Sequence, residues 1–501
     1  MRSIIAQKSN RNDIVEKIVS LSKRKGFVFQ SSEIYGGLNG CWDYGPLGVE
    51  LLNNIKAEWW KAMTYREDVE GLDAAILMHP KVWEASGHVE NFTDPMIDCK
   101  QCKARFRLDT LGEGIADKRK DKIFRAFKEK ENNFSDSDKE KIENILSSEM
   151  TSNEKFEAIL EIKNVAASFL EEVNCSQCGN KGTFTEPRNF NLMFKTFLGS
   201  VEKTENAIHL RPETAQGIFV NFLNVQSSSR QKLPFGIAQI GKAFRNEINT
   251  KNFLFRTREF EQMEMQYFVK PSDDKKNYDT WKENRINFYK ELGMSADKLR
   301  FHDHPADKLA HYAKEATDIE YKFPFGWGEM EGIHNRTDFD LSQHEKHSGK
   351  SQKYFDDELR EKYIPYVIET SAGASRSFMA FLIDAYNEEE VKGETRVVLK
   401  FHPRLAPIKV AILPLVNKDG MPEVAKEIEA DLRPFMRVFY DSKGAVGRRY
   451  RRQDEAGTPF CVTIDTQTFE DNTVTVRDRD SMEQIRLEKD KLLSYFLEKL
   501  R

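Results

Sequence analysis

The sequence contains no long apolar run. Within its 501 residues no stretch approaches the roughly 18 apolar residues that a membrane-spanning helix needs. Its 6 cysteines are too few for the disulfide framework of a small secreted protein. The first residues lack an apolar segment followed by a cleavage site, so we expect no secretion signal. These absences argue against membrane and secreted proteins and favour a cytoplasmic protein that does not contact membranes.

The charges of the chain nearly cancel, with 77 Lys plus Arg against 81 Asp plus Glu. This balance argues against nonspecific binding of nucleic acid, although it leaves room for a local basic patch. The 35 phenylalanines provide material for a hydrophobic core, which excludes a wholly disordered chain. The length is typical of two to four domains.

Two segments differ from the rest in their pattern. Residues 113–172 are rich in Lys and Glu and contain no Pro, Trp or Tyr. Apolar residues at helical spacing, and a capping box from Thr151 to Glu154, predict a helical insertion there. From residue 405 onwards, alternating strands and helices predict a separate α/β domain. Its predicted strands are residues 409–413, 437–440, 460–465 and 473–477, and its predicted helices are 421–432, 445–455 and a terminal helix.

The cysteines form two Cys-x-x-Cys pairs, Cys99 with Cys102 and Cys175 with Cys178. Four thiolates match the tetrahedral coordination of a structural zinc ion. The pairs lie farther apart than the usual spacing of about 15–20 residues, but the cost of closing a loop rises only slowly with its length. Four unconnected thiols or a redox pair are the alternatives. The two lone cysteines, Cys41 and Cys461, are expected in the core.

Residues 205–270 contain short strand-like runs, 235–240, 253–256 and 263–269, with charged residues inside them. This pattern predicts an antiparallel sheet with one solvated face. The run from Gly236 to Lys242 imitates a phosphate loop, but Ala243 stands where a hydroxyl is needed. If the protein binds a nucleotide, arginines rather than a phosphate loop would have to hold its phosphates.

Three arginines flank the predicted strands: Arg245, Arg256 and Arg258. A short loop between the strands would bring them together, and guanidinium groups bind phosphate with two parallel hydrogen bonds. The alternative is a charged, solvated hairpin.

Several carboxylates lie near these arginines in the sequence: Glu213, Glu261, Glu264 and Glu369. Acids beside arginines suit a zwitterionic ligand, although surface salt bridges would give the same pattern. The segment from Glu369 to Arg376 reads as a strand, a glycine turn and a helix. A cation in the first turn opposes the helix dipole, so a bound anion would explain Arg376; an exposed arginine is the alternative.

The histidines lack a convincing metal spacing, and we expect them to be structural or solvated; they are His302, His304, His334, His344 and His347. The run from Arg448 to Arg452 contains four arginines and Tyr450. It could pair with phosphates and stack on a base of RNA, or it could be a solvated helix face.

These segments resemble class II aminoacyl-tRNA synthetases, and in detail the glycyl-tRNA synthetases of the homodimeric type in subclass IIa. The resemblance covers nearly the whole chain except residues 113–172. It rests on the strings Ser32-Glu-Ile-Tyr-Gly-Gly-Leu, Trp42-Asp-Tyr-Gly-Pro-Leu-Gly, Gly71-Leu-Asp-Ala-Ala-Ile-Leu-Met, Arg211-Pro-Glu-Thr-Ala-Gln-Gly, Phe244-Arg-Asn-Glu and Phe255-Arg-Thr-Arg-Glu-Phe-Glu-Gln-Met-Glu.

The resemblance implies an α+β fold, in which residues 1–404 form a catalytic domain with an antiparallel sheet and flanking helices. Residues 99–178 of that domain would form the zinc-knuckle region that contains the insertion 113–172. Residues 405–501 would form an α/β anticodon-binding domain. The implied partners are tRNA(Gly), glycine, ATP with Mg²⁺, and a second copy of the chain, which would contact the region around Tyr44–Trp60.

The family's functional positions map onto this sequence as follows. The implied catalytic residues are Arg245, Glu247 and Arg376. The implied ATP-binding residues are Arg245, Asn246, Glu247, Phe255, Arg256, Thr257, Arg258, Glu259, Phe260, Glu329, Met330, Gly373, Ala374, Ser375 and Arg376. The implied glycine-binding residues are Arg107, Glu213, Phe260, Glu261, Gln262, Met263, Glu264, Glu369, Thr370, Ser371, Ala372 and Gly373. The zinc ligands would be Cys99, Cys102, Cys175 and Cys178.

Individual roles follow from the same resemblance. Arg245 would hold the α-phosphate and the glycine carboxylate, and Arg376 the γ-phosphate. Phe260 would stack on adenine, and Glu329 would lie at the site of ATP and magnesium. Arg107 would close over the substrate.

Two features depart from the family pattern. The insertion is longer than expected, and the third motif reads Ser371-Ala-Gly-Ala-Ser-Arg376 rather than ending in Gly-Leu-Gly-Arg. We expect an active glycine–tRNA ligase. The alternatives are a non-catalytic paralogue that binds RNA or a partner, and a subclass IIa synthetase for another amino acid. The first conflicts with the presence of all three catalytic candidates. The second conflicts with the strings around Glu213 and Glu264.

Overall fold

The computed structural model describes residues 2–108, 111–129, 134–148, 150–162, 165–200, 206–248, 250, 252–310 and 312–500. Contacts divide them into two compact units, one up to Ser86 and from Phe194 onwards, the other Gly87–Met193. None of the helices in these ranges is long and apolar enough to span a membrane.

The helices are α1 Arg2–Lys25, α2 Pro46–Thr64, α3 Pro80–Ala85, α4 His88–Asn91, α5 Asp117–Lys128, α6 Asp136–Ser147, α7 Ser152–Glu161, α8 Ala166–Leu170, α9 Ala215–Phe219, α10 Phe222–Ser229, α11 Asp274–Glu291, α12 Phe339–Ser348, α13 Ala374–Ala385, α14 Met421–Leu432, α15 Val446–Ala456, α16 Thr468–Asp471 and α17 Leu492–Lys499.

The strands are β1 Val28–Gln30, β2 Trp42–Tyr44, β3 Val69–Gly71, β4 Thr93–Asp98, β5 Arg105–Arg107, β6 Arg188–Asn191, β7 Lys195–Phe197, β8 Ala207–His209, β9 Phe235–Phe244, β10 Glu259–Val269, β11 Leu299–Asp303, β12 Glu315–Phe323, β13 Gly326–Thr337, β14 Tyr354–Asp356, β15 Glu361–Tyr363, β16 Tyr366–Gly373, β17 Tyr386–Val391, β18 Glu394–Leu399, β19 Val410–Pro414, β20 Val438–Tyr440, β21 Phe460–Ile464, β22 Thr473–Asp478 and β23 Gln484–Glu488.

The larger unit is built on a seven-stranded sheet with the order β11-β12-β13-β16-β10-β9-β3. Its pairs are antiparallel except for β3 with β9. Successive side chains of a strand point to opposite faces, so Met263 and Met265 of β10 contribute to the apolar core on one face. Helices α2, α11 and α13 contact this sheet. The α+β fold class is therefore confirmed.

The opposite face of the sheet is not solvated, contrary to the sequence-based expectation. Gln262, Glu264 and Gln266 of β10 are 8%, 2% and 0% exposed. Residues of α9 and α10, with Phe235 and Phe268, cover this face in a second apolar cluster. The polar residues thus form a buried polar cluster (the pocket) under these helices.

The predicted strand 253–256 is wrong, because Asn252 and Phe253 adopt left-handed backbone conformations with φ of 60° and 58°. Left-handed residues interrupt a strand. The segment instead belongs to the connection between β9 and β10. Both of those strands were predicted, although they extend beyond the predicted limits.

The smaller unit contains the predicted helices. Its core includes Phe169, whose ring contacts those of Phe124, Phe127 and Phe156. The capping box at α7 is present: the Glu154 amide donates to Thr151 Oγ1 at 3.3 Å, and the Thr151 amide donates to Glu154 Oε2 at 2.7 Å. Strands β5, β4 and β6 form a three-stranded sheet in this unit.

Residues after 405 form a five-stranded sheet in the order β20-β19-β21-β22-β23, where β19 is parallel to β20 and β21. The predicted alternation is confirmed, but β23 was missed because its residues are mostly exposed and carry no apolar run. Within the basic run of α15, Arg449 is 1% exposed and donates to the carbonyls of Pro414, Leu415 and Asp441. Tyr450 bonds Thr463. Both residues are structural, while Arg448 stays exposed.

Candidate functional site

An open cleft lies at the end of the seven-stranded sheet where β9, β10, β16 and α13 meet. Most of the predicted ATP-binding residues line it. They are Arg245, Glu247, Phe255, Arg256, Thr257, Phe260, Glu329, Gly373, Ser375 and Arg376, together with Gln262 and Ser371 from the predicted glycine site.

The register of β10 and β16 decides which predicted glycine-binding side chains share the pocket face. Glu264 pairs with Ser371, and Gln266 with Glu369. Directly opposed residues share a face. The residues between them point the other way: Met263 and Ala372 lie in the apolar core, and Thr370 is paired with Met265. Glu261 bonds Lys56 at 3.1 Å. The side chains of Glu261, Met263, Thr370 and Ala372 therefore lie outside the pocket, which corrects the sequence-based assignment.

A β-bulge places Glu329 in the cleft. The register between β12 and β13 shifts at Ile319 and Glu320, so that Glu329 and Glu331 face opposite sides despite being two residues apart. Glu331 is fully buried beside Arg285, whereas Glu329 lies 3.0 Å from Arg376. The Met330 side chain lies in the apolar core, so only its main chain could serve ATP.

Arg376 occupies the first turn of α13, as predicted. Its Nε donates to the Phe255 carbonyl at 3.1 Å, and its guanidinium lies 4.5 Å from the Phe255 ring. The charge of Arg376 holds the pKa of Glu329 below its usual range. A carboxylate therefore offsets this arginine, so its position alone does not require a bound anion.

Arg245 extends from the end of β9 over the ring of Phe260, with 5.3 Å between guanidinium and ring centre. Its Nε donates to the Pro212 carbonyl at 3.1 Å. Arg258 is within reach of the same loop, because its carbonyl accepts from the Arg245 amide at 2.9 Å. Arg245 and Arg256 both line the cleft, as expected, whereas Arg258 does not. Arg258 itself donates to the main chain of Glu247 and Asn39, and Glu259 pairs with Lys242, so these two, like Asn246 and Ala374, do not line the cleft.

The buried carboxylates Glu264 and Glu369 have opposite electrostatic environments. Burial and the charge of Glu369 raise the pKa of Glu264, whose partners are the Thr214 hydroxyl and the Gln266 amide. Burial alone would raise the pKa of Glu369 too, but the charges of Arg336 and His334 outweigh it and lower that pKa. His334 Nδ1 lies 2.7 Å from Glu369 Oε1. The pKa values of the two carboxyls are thus shifted in opposite directions.

Sequence reasoning missed several members of this pocket, including Gln216, Arg336 and Asp340. His334 had been assigned a structural or solvated role. Gln216 Nε2 donates to Glu213 Oε1 at 3.0 Å, and Arg336 donates to Glu369 at 3.0 Å. No local motif marks Arg336 or Asp340 as part of a site. Arg336 lies at the end of β13, and Asp340 lies at the start of α12. Only the fold brings these two positions to the pocket.

The four cysteines of the smaller unit converge. Cys99 Sγ lies 3.7 Å from Cys178 Sγ, and Cys102 Sγ lies 3.7 Å from Cys175 Sγ. All four sulfur atoms are within 4.8 Å of one another. A tetrahedral site with metal–sulfur bonds of about 2.3 Å has edges of about 3.8 Å, so the cluster has the dimensions of a zinc site.

The histidine, Arg107 and lone-cysteine candidates are placed as follows. His304 Nε2 is 2.8 Å from Asp318, and these two form a compact group with His302. Arg107, the residue expected to close over the substrate, belongs to the smaller unit and lies 3.3 Å from Asp94. Cys461 is buried as expected, and Cys41 is half-buried.

An antiparallel sheet that presents arginines and an aromatic ring to a cleft, followed along the chain by an α/β region, is typical of a class II aminoacyl-tRNA synthetase. The family model for the tRNA synthetase class II core domain (G, H, P, S and T) matches residues 197–386, and the anticodon binding domain matches residues 409–499. The chain belongs to the glycine–tRNA ligase family.

This family assignment rests on similarity over nearly the whole chain. The glycine–tRNA ligase of Treponema denticola is 54% identical over 487 residues, covering 96% of each chain. That of Borreliella burgdorferi is 53% identical over 486 residues, again covering 96% of each chain. That of Streptomyces coelicolor is 49% identical over 497 residues, covering 97% of this chain and 99% of the relative.

The expectation that the resemblance would leave out residues 113–172 is wrong. The family model for glycyl-tRNA synthetase insertion domain 1 matches residues 94–192 and includes them. The helical insertion is therefore a feature of the family rather than an addition to this chain.

The opposite environments of Glu264 and Glu369 generate a stability test. In the unfolded chain both carboxyls titrate near pH 4.3. Because the folded pKa of Glu264 is higher, the folded state loses stability as pH rises from about 4.3 towards that folded pKa. Glu264→Gln removes this loss, so we expect a higher Tm than wild type at pH 8, by a few degrees, and a smaller difference at pH 5.

Glu369→Gln is the matched control with the opposite sign. The lowered pKa of Glu369 contributes stability that is present above about pH 4.3 and is lost as pH falls through the folded pKa. This variant should be less stable than wild type at pH 8. Thermal unfolding at both pH values checks the pair, and a Glu264→Gln variant that melts below wild type at pH 8 contradicts the assignment.

Proposed function

We propose that glycine is activated by ATP in the cleft between β9, β10, β16 and α13, with Arg245 and Arg376 as the charge-stabilising residues. A carboxylate oxygen of glycine attacks the α-phosphorus, the bond to pyrophosphate breaks, and glycyl adenylate forms. A ribose hydroxyl at the 3′ end of tRNA(Gly) then attacks the glycyl carbonyl and releases AMP. The observation that supports this assignment is the convergence of both guanidinium groups on one cleft.

The chemistry needs positioning and positive charge more than a protein nucleophile. Negative charge develops on the transferring phosphoryl group, and preorganised cations stabilise it. Arg245 is the candidate for the α-phosphate and the glycine carboxylate, and Arg376 for the γ-phosphate. Phe260, already stacked by Arg245, offers its ring to adenine. Glu247, Phe255, Arg256, Thr257, Gly373 and Ser375 complete the proposed nucleotide site.

Magnesium bound with ATP would supply further positive charge to the phosphates. Glu329 is the residue of this chain suited to hold it, because carboxylate oxygens are preferred ligands of Mg²⁺. Its side chain is 47% exposed and reaches the cleft beside Arg376. Arg376 would exchange this carboxylate for phosphate when the nucleotide binds.

The glycine ammonium would bind among Glu213, Glu264 and Glu369, with Gln262 and Ser371 on the same face. A pocket gains little from contact with a hydrogen atom, so selection of glycine must come from excluding side chains and gripping the ammonium. Buried carboxylates around a small space meet both needs. A non-catalytic paralogue is the alternative. It would not explain why Arg245, Glu247 and Arg376 are all present in one cleft.

Amino-acid-dependent exchange between ATP and pyrophosphate tests this proposal. We expect exchange with glycine alone among the twenty amino acids, and a loss of at least about a hundredfold in Arg245→Ala, since removing one group that stabilises transition-state charge costs about that much. Arg433→Ala is the matched control, because Arg433 is 66% exposed and lies outside the catalytic sheet. Exchange with another amino acid would reject the specificity, and none from folded wild type would favour the paralogue.

We further propose that Cys99, Cys102, Cys175 and Cys178 bind a structural zinc ion. The sulfur spacing and the all-thiolate donor set support a closed tetrahedral site that holds no water. The ion would tie together two segments separated by the helical insertion and would take no part in the reaction.

Substitution of one ligand tests the zinc proposal. Cys178→Ser should lower bound zinc from one ion per chain towards zero, because three thiolates leave the site incomplete. Cys41→Ser, which alters a cysteine outside the cluster, should retain the ion. Metal content measured after dialysis decides, and a Cys178→Ser protein that keeps stoichiometric zinc would overturn the assignment.

Three further assignments extend the family resemblance. We propose a homodimer whose interface includes the region around Tyr44–Trp60; the nearby Ile34 and Tyr35 are 88% and 87% exposed, as expected for residues that a partner covers. Sedimentation equilibrium tests the homodimer.

We propose that residues 1–404 carry the reaction and that residues 405–501 contact the anticodon. Footprinting of bound tRNA would locate this contact. Cytoplasmic localisation, where translation consumes the product, is testable by cell fractionation.

A further inference from the structure

Arg336 is a buried arginine that the proposed reaction does not use. It lies near the end of β13, and its side chain is 4% exposed. Its Nε and Nη2 donate to the two oxygens of Asp340 at 2.7 and 3.0 Å, and its Nη1 donates to Glu369 Oε2 at 3.0 Å. One guanidinium therefore holds two carboxylates in fixed directions.

Asp340 extends this contact to the other side of the pocket. Its Oδ1 also accepts a hydrogen bond from Gln216 Nε2 at 3.0 Å, and the same amide nitrogen donates to Glu213 Oε1 at 3.0 Å. The Gln216 oxygen then faces His344 Nε2 at 2.8 Å. An amide oxygen only accepts, so Nε2 of His344 donates this hydrogen bond and fixes the orientation of the amide.

A second amide connects the remaining carboxylate. Gln266 Nε2 donates to Glu369 Oε2 at 2.7 Å and to Glu264 Oε1 at 3.1 Å. Glu213, Glu264 and Glu369 are thus joined in one hydrogen-bonded network. Arg336 supplies a buried guanidinium to this network, where it offsets part of the repulsion among the acids.

We propose that Arg336 is a positioning residue for the amino-acid pocket. It fixes Glu369 directly and Glu213 through Asp340 and Gln216, so that their oxygens stand at a set spacing for the ammonium group. This inference rests on the proposed role of Glu213 and Glu369 in glycine binding. Since an ammonium donates only three hydrogen bonds, a small displacement of either carboxylate weakens the grip on glycine and leaves the ATP contacts unchanged.

The competing explanation is a buried ion pair that only stabilises the fold. The chain offers a matched control in Arg285, which is equally buried and donates to Glu331 at 2.6 and 3.3 Å on the core face of the same sheet. Lysine keeps the charge at either position but is a point donor that cannot reproduce a guanidinium fork. Both substitutions should therefore lower the stability of the fold, while only Arg336→Lys should weaken the binding of glycine.

The test compares Arg336→Lys with Arg285→Lys in glycine-dependent pyrophosphate exchange, together with the Tm of each. For Arg336→Lys we expect the KM for glycine to rise by about tenfold or more, since charged hydrogen bonds are lost, and the KM for ATP to stay within about twofold. For Arg285→Lys both KM values should stay within about twofold of wild type, whatever its Tm. A glycine KM unchanged in Arg336→Lys, or a parallel rise for ATP, overturns the proposal.

Two more variants keep the test decisive. Glu369→Gln should raise the KM for glycine, and an unchanged KM in this variant would reject the proposed role of the pocket. If the KM for glycine rises in Glu369→Gln but not in Arg336→Lys, only the positioning role of Arg336 is rejected. If Arg336→Lys does not fold, Gln216→Met breaks the arm to Glu213 without changing charge. A glycine KM that rises selectively in that variant supports the relay, and an unchanged value rejects it.

Discussion

The site depends on the alternation of side chains along two adjacent strands, β10 and β16. On one face, Met263 and Met265 complete the apolar core; on the other, Glu264, Gln266 and Glu369 form the buried polar cluster. A shift of one residue in register would exchange the two sets and place carboxylates in the core. Burial of both faces therefore fixes the register, and the register fixes the pocket.

Burying several carboxylates together is costly, and the pocket divides that cost unequally. Glu369 faces Arg336 and His334, whereas the Thr214 hydroxyl and the Gln266 amide donate to Glu264. Two residues of one type, on neighbouring strands, thus have pKa values shifted in opposite directions because their neighbours differ. In the proposed complex, the ammonium of glycine would add a further cation to this group of acids.

The cleft beside this pocket depends on irregularities rather than on regular strands. The bulge in β13 turns Glu329 towards Arg376 and leaves Glu331 with Arg285 in the core. Left-handed residues at Asn252 and Phe253 shape the connection between β9 and β10, which carries the arginines. Both irregularities place charged side chains at the cleft, whereas regular strands would direct those side chains elsewhere.

The sequence by itself determined the family, the α+β class, the helices of the insertion, the alternating elements after residue 405 and the main residues of the cleft. Arg245, Phe260 and Arg376 line the cleft, Glu264 and Glu369 belong to the buried polar cluster, and all five stand in local strings that resemble those of the family. Only the tertiary structure excluded Glu261, Met263, Thr370 and Ala372 from the pocket, because their direction depends on register. It also added Gln216, His334, Arg336 and Asp340, which come together across elements distant in sequence. Local patterns specify strands and turns, but hydrogen bonds between separate elements form only when burial brings their side chains together.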